Sequence, residues 1–257
     1  MPCIQVYGKS INLTFVHIPK CAGTSVQRWM RTNRGMNRWY GWNGHPTLSQ
    51  MRFDRPDIKD TFVVIRNPWE RVVSYWAMMK DVFESSEFIR SVISYQEWPT
   101  FKKFVLDLEL TYNHQSYNEL KDLAKKDAIA LSPDGNYEGG KQDRSLRFMQ
   151  NPLYAKQMPI SWISSELAVS GSAWYFFYTI QDTQISWMSG ETPTFVLRQE
   201  KLAEDFKQIQ DIFDCQIPLS VENISPHEYY RDYYDAETRD IVARWHARDI
   251  EMFGYDL

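Results

Sequence analysis

One run constrains the chain more than any other: Leu13-Thr14-Phe15-Val16-His17-Ile18-Pro19-Lys20-Cys21-Ala22-Gly23-Thr24-Ser25. The β-prone residues Leu13 to Val16 end at His17-Ile18-Pro19. A loop of small residues follows, and a helix-like stretch runs from Val26 to about Thr32. A chain that turns from a strand into a helix leaves the first helical amides without internal partners. With the positive end of the helix dipole, those amides form an anion site. Ala22 and Gly23 are small enough for a phosphate to approach the backbone. Thr24 and Ser25 add hydroxyls, and Lys20 adds a full positive charge. Taken alone, the loop reads equally well as an ordinary strand–helix turn with a solvated lysine. The nucleotide-triphosphatase pattern GxxxxGK[ST] is absent because the lysine precedes the glycine, which disfavours ATP or GTP hydrolysis.

A second β-prone run, Thr61-Phe62-Val63-Val64-Ile65, is apolar almost throughout, as suits a central strand covered on both faces. It ends at Arg66-Asn67-Pro68, where Pro68 fits a first helical turn, and a helix is expected through about Lys80. Arg66 would stand at the carboxyl end of the sheet, where open α/β folds bind ligands. Arg71 and Ser74 follow on the helix. An arginine fork near a hydroxyl suits a phosphate dianion, whereas the plainer reading pairs Arg71 with Glu70 or with a surface carboxylate.

A third strand candidate, Thr194-Phe195-Val196-Leu197, precedes a helix from about Lys201 to Phe213. The stretch from Asp235 to about Phe253 is amphipathic and is expected to pack on the sheet. This alternation predicts an α/β fold: a three-layer, P-loop-like domain with a mostly parallel central sheet flanked by helices. A single domain is expected over residues 1–257, with a variable region of helices and loops at about 81–187. Within it, Ser132 to Gly140 is turn-rich and reads as an exposed loop or a lid, at about 132–142.

Lys and Arg total 29 against 33 Asp and Glu, a net charge of −4, which argues against a nucleic-acid partner. The three cysteines (Cys3, Cys21 and Cys215) lack CxxC or Cys/His ligand spacing, so neither a disulfide scaffold nor a metal site is expected. No apolar run approaches the roughly 20 residues of a membrane span. The opening residues MPCIQVYGKSINLTFVHIPK lack the plan of a signal peptide, so a cytoplasmic location is expected.

Together, FVHIPKCAGTS and VIRNPWERVVSYW resemble the two donor-binding signatures of the sulfotransferases that use 3′-phosphoadenosine 5′-phosphosulfate (PAPS). The wording HIPKCAGTS is nearest to the carbohydrate branch, which includes the heparan sulfate 2-O-sulfotransferases. The resemblance extends to Phe195 through Leu202, to Asn223-Ile224-Ser225, to Tyr233-Tyr234-Asp235 and to Asp249 through Tyr255. It implies that Lys20, Gly23, Thr24 and Ser25, with Cys21 and Ala22 in the same loop, hold the 5′-phosphosulfate. It implies also that Arg66 and Ser74 hold the 3′-phosphate. The product would be 3′,5′-adenosine bisphosphate (PAP), the acceptor a hydroxyl on a sugar or glycan, and no metal would be needed.

Sulfuryl transfer requires a positioned acceptor, a base for its proton and stabilisation of the departing phosphate. Lys20 is the natural group for the leaving oxygen. The branch takes its base from a Gly-His element upstream of the second signature, which Gly44-His45-Pro46 matches. Asn43 stands where the branch carries a second histidine. His17 would brace the loop, Glu70 is a reserve base, and Gln157 loosely resembles a glutamine beyond the variable region. The aromatic stretch Ser94 to Trp98 would line an acceptor cleft or pack in the core. Two other readings compete: a nucleotide kinase or hydrolase on a related fold, and a non-catalytic nucleotide-binding protein.

Overall fold

The computed structural model describes residues 3–6, 13–32, 36–39, 47–85, 100–112, 180–222 and 224–257. His45, Gln157, the loop at 132–142 and the stretch 94–98 lie outside the described residues.

In chain order the elements begin with β1 (Cys3–Val6), β2 (Leu13–Val16), α1 (Gly23–Thr32), β3 (Met36–Trp39), α2 (Leu48–Asp54) and β4 (Asp60–Ile65). They continue with α3 (Pro68–Ser85), α4 (Phe101–Tyr112), α5 (Gln184–Trp187) and β5 (Phe195–Arg198). Last come α6 (Leu202–Asp205), α7 (Lys207–Ile212), α8 (Ala236–Trp245) and α9 (Ala247–Phe253). Strands β2, β4 and β5 form a parallel sheet with β4 in the middle, and helices flank it. The α/β expectation is met. Phe62, Val63, Val64 and Ile65 are fully buried, as a strand with neighbours on both edges requires. The antiparallel pair β1–β3 had no counterpart in the sequence reading.

The parallel register sets where the chemistry can sit. Val16 of β2 lies beside Val63 of β4, and Ile65 of β4 lies beside Arg198 of β5. All three strands therefore deliver their following loops to one edge of the sheet. Those loops carry Lys20, Arg66 and Glu200.

Two apolar clusters support this edge. One joins the sheet to α1, α2 and α6, with Trp29 meeting Phe206 edge-on at 4.9 Å. The other joins α3, α4 and α8 through Val72, Val73, Phe104, Val105, Val242 and Trp245.

The C-terminal stretch departs from expectation. It is two helices broken at His246. The first packs on α3 and α4 instead of on the sheet. Its stripe of Ile241, Val242 and Trp245 needs an apolar partner, and a stripe does not specify which one. Asp235 caps α8 by accepting from Thr238 N–H at 2.9 Å, while Thr238 Oγ1 accepts from Asp235 N–H at 3.1 Å. Other bounds shift modestly: α1 begins at Gly23, α3 runs on to Ser85, and the expected helix from Lys201 divides into α6 and α7.

Candidate active site

The loop between β2 and α1 is held in an unusual shape. Lys20 and Ala22 have φ of 67° and 53°, left-handed values that cost a non-glycine residue on the order of 1 kcal/mol each. The Cys21 N–H closes this turn by donating to the Ile18 carbonyl at 3.3 Å. The carbonyls of Pro19 and Lys20 meet two arginines. Arg71 Nε donates to the Pro19 carbonyl at 3.0 Å, and an Arg66 terminal nitrogen donates to the Lys20 carbonyl at 3.1 Å. In α1 the Val26 amide bonds to the Ala22 carbonyl at 3.3 Å, so the amides of Gly23, Thr24 and Ser25 lie ahead of the helical ladder.

Lys20 is half-buried, and its Nζ donates to Ser225 Oγ at 2.9 Å. Burial, and then the neighbouring Arg66 cation, lower its pKa from 10.5 to about 8. Thr24 is exposed. Ser25 is buried, and its Oγ accepts from the Glu222 amide at 3.0 Å. Glu222 also pairs with Arg28, so the segment after α7 crosses the mouth of the loop. His17 braces the loop, as expected: it stacks on Phe15 at 5.6 Å and lies 3.1 Å from Gln27 Nε2 through its Nδ1.

Arg66 follows β4 directly. Its guanidinium reaches both the Lys20 carbonyl and Glu70 Oε1, each at 3.1 Å, and its buried Nε has no hydrogen-bond partner among the described residues. Glu70 is thus the partner of Arg66, which weakens it as a reserve base. Ser74 lies buried two turns into α3. Glu70 pairs with Arg66 instead, and Arg71 does not lie at the surface. It is fully buried and donates to the carbonyls of Pro19 and Asp182, both at 3.0 Å. Asn67 Oδ1 caps α3 by accepting from Trp69 N–H at 3.0 Å, and Asn67 Nδ2 donates to the Asp256 carbonyl at 2.7 Å. The Asn67 amide is taken by Glu200.

The sequence reading missed Gln184 and Asp249. Gln184 is fully buried, accepts from Arg66 N–H and donates to the Arg66 carbonyl, both at 2.8 Å. The Cys21 thiol lies 3.3 Å from its Oε1. Asp249 accepts from the Gln184 and Ile185 amides at 2.6 and 3.0 Å. No spacing or periodicity marks either residue as part of the site. Burial pushes the Cys21 thiol up to about 12.

Among the described residues no group of His, Cys, Asp and Glu could hold a metal ion. None of their helices is long and apolar enough to cross a membrane. Two cations and the leading amides of α1 lie at one sheet edge, and the arrangement can hold a dianion and stabilise charge that grows on it.

Residues 6–132 match the model of the sulfotransferase family. The matched stretch includes both loops, at Lys20 and at Arg66. No curated protein and no solved structure matches the chain. The family match, together with the parallel sheet that brings the two loops to one edge, makes the chain a sulfotransferase, an enzyme that moves a sulfuryl group from a PAPS donor to an acceptor hydroxyl and releases PAP.

Proposed function

We propose that this sulfotransferase, acting as one domain over residues 1–257, sulfates a carbohydrate hydroxyl, as enzymes of the heparan sulfate 2-O branch do. In this reading Lys20, Cys21, Ala22, Gly23, Thr24 and Ser25 receive the 5′-phosphosulfate, Arg66 and Ser74 receive the 3′-phosphate, and His45 is the base. The observation that carries the donor part of this reading is the approach of Arg66 to the Lys20 backbone at 3.1 Å. Two positive side chains are thereby held together where an anion relieves their repulsion. The sugar acceptor rests on the resemblance of HIPKCAGTS to the carbohydrate branch.

The residues suit the donor. Arg66 Nε is a buried donor in need of an acceptor, and the amides of Gly23, Thr24 and Ser25 precede the helical ladder of α1. When bound, the donor supplies an activated sulfuryl group. Lys20 then faces the oxygen on which negative charge grows, so its charge counts for more in the transition state than in binding. Lys20 and Ser25 give up Ser225 and the Glu222 amide for the ligand. His45, as a neutral imidazole, would accept the acceptor's proton. Its assignment rests on the Gly44-His45-Pro46 resemblance.

The test is incubation with PAPS and three acceptor panels: glycans, lipid headgroups and small alcohols. Sulfated glycan with stoichiometric PAP supports the reading. Transfer to the other panels alone overturns the carbohydrate assignment. Tight PAP binding with no transfer to any panel would favour a non-catalytic role.

A further inference from the structure

Arg66 sits one residue past the last register pair of β4 with β5, Ile65 beside Arg198, and three past the last pair with β2. Its peptide groups are buried, yet the sheet offers them no partner. Buried backbone groups of this kind must find one. Gln184 supplies it: its side-chain amide accepts from Arg66 N–H and donates to Arg66 C=O, both at 2.8 Å, as a neighbouring strand would. The same Oε1 takes the Cys21 thiol at 3.3 Å. Gln184 is itself immobilised, because Asp249 holds its amide at 2.6 Å and that of Ile185 at 3.0 Å.

We propose that Gln184 is a positioning residue for the donor's 3′-phosphate, acting through Arg66 without touching the ligand. The inference rests on the reading of Arg66 as a 3′-phosphate ligand. With both backbone groups of Arg66 clamped, its guanidinium leaves the sheet edge from a fixed base. Without the clamp, the peptide of Arg66 can rotate to find other partners, and the guanidinium swings with it. The Cys21 contact touches the 5′ loop more weakly, because a thiol is a poor donor.

The test is calorimetric binding of adenosine 3′,5′-bisphosphate and adenosine 5′-monophosphate to wild type, Gln184→Met, Arg66→Ala and the double variant. Gln184→Met is expected to weaken the bisphosphate about tenfold and the monophosphate less than about threefold. The double variant should bind the bisphosphate within about twofold of Arg66→Ala, since the two act through one group. In turnover, the donor KM should rise while kcat holds. Equal losses for both ligands, or losses that multiply in the double variant, overturn the proposal. If Arg66→Ala itself treats the two ligands alike, Arg66 is not the 3′-phosphate ligand and the inference falls with it. Should Gln184→Met not fold, Gln184→Glu keeps the acceptor for Arg66 N–H and loses the donor to its carbonyl. The same two-ligand comparison then decides on that variant.

Discussion

The imidazole of His17 lies against the Cα of Gly23 so closely that a β-carbon there would stand 1.7 Å from His17 Nε2. Gly23 is helical and needs no left-handed freedom. It is glycine because the ring occupies the space. The ring cannot move aside cheaply, since Phe15 stacks on it and Gln27 meets its Nδ1. Gly23→Ala should weaken PAP binding by the equivalent of about 1–3 kcal/mol of overpacking. His17→Ala in the same chain should restore most of it. A double variant as weak as the single one would place the demand for glycine elsewhere.

Lys20 titrates near pH 8 in the free protein, lowered first by burial and then by Arg66. An anion beside it favours the charged form and raises the value again. PAP binding at pH 8.5 should therefore take up roughly three quarters of a proton. Calorimetry in buffers of different ionisation enthalpy measures this, and Lys20→Met should abolish the uptake. The sign for stability is opposite to that of a paired lysine. The folded form binds fewer protons between pH 8 and 10.5, so Lys20's contribution becomes less unfavourable as pH rises through that window.

Arg71 is a structural clamp for the loop. Arg71→Met leaves the buried Pro19 carbonyl and the half-buried Asp182 carbonyl without these donors and should cost about 2–4 kcal/mol in urea unfolding. Arg71→Lys should not rescue it, because an ammonium cannot reach both carbonyls as a planar fork does.

Cys21 should be inert in the folded protein. With its thiol pushed up to about 12 by burial, the thiolate is scarce at pH 8. Alkylation followed on the Cys21 peptide by mass spectrometry should be on the order of a thousandfold slower than in urea. Rapid labelling in native buffer would show that the loop opens.

His45→Ala should lower kcat by about 10²–10⁴-fold while PAP affinity stays within about twofold. Full activity in this variant removes His45 from the base role.

The legible parts were local. The apolar run at Thr61 to Ile65 announced a central strand, the Asn67-Pro68 pair a helix start, and Lys20 to Ser25 a loop that leads from a strand into a helix. Each depends on residues a few positions apart, the range over which propensity and capping act. The place of Arg66 at the carboxyl end of a parallel strand was legible from the apolar run before it. Arg71 was misread: on a helix beside Glu70 it resembles a surface ion pair, and only its complete burial changes its role.

What could be read from residue order alone is the proposed donor site: a lysine, small residues and hydroxyls ahead of one helix, and an arginine ahead of another. Tertiary structure decided what holds these groups in place. Arg66 meets the Lys20 carbonyl across 46 residues and Gln184 across 118. Such contacts carry no periodicity that a single sequence displays. They exist because buried peptide groups at a sheet edge must be paired by whichever side chain the packing delivers. The loop's residues were visible from the start, whereas its shape is held by Arg71 on the Pro19 carbonyl and Arg66 on the Lys20 carbonyl.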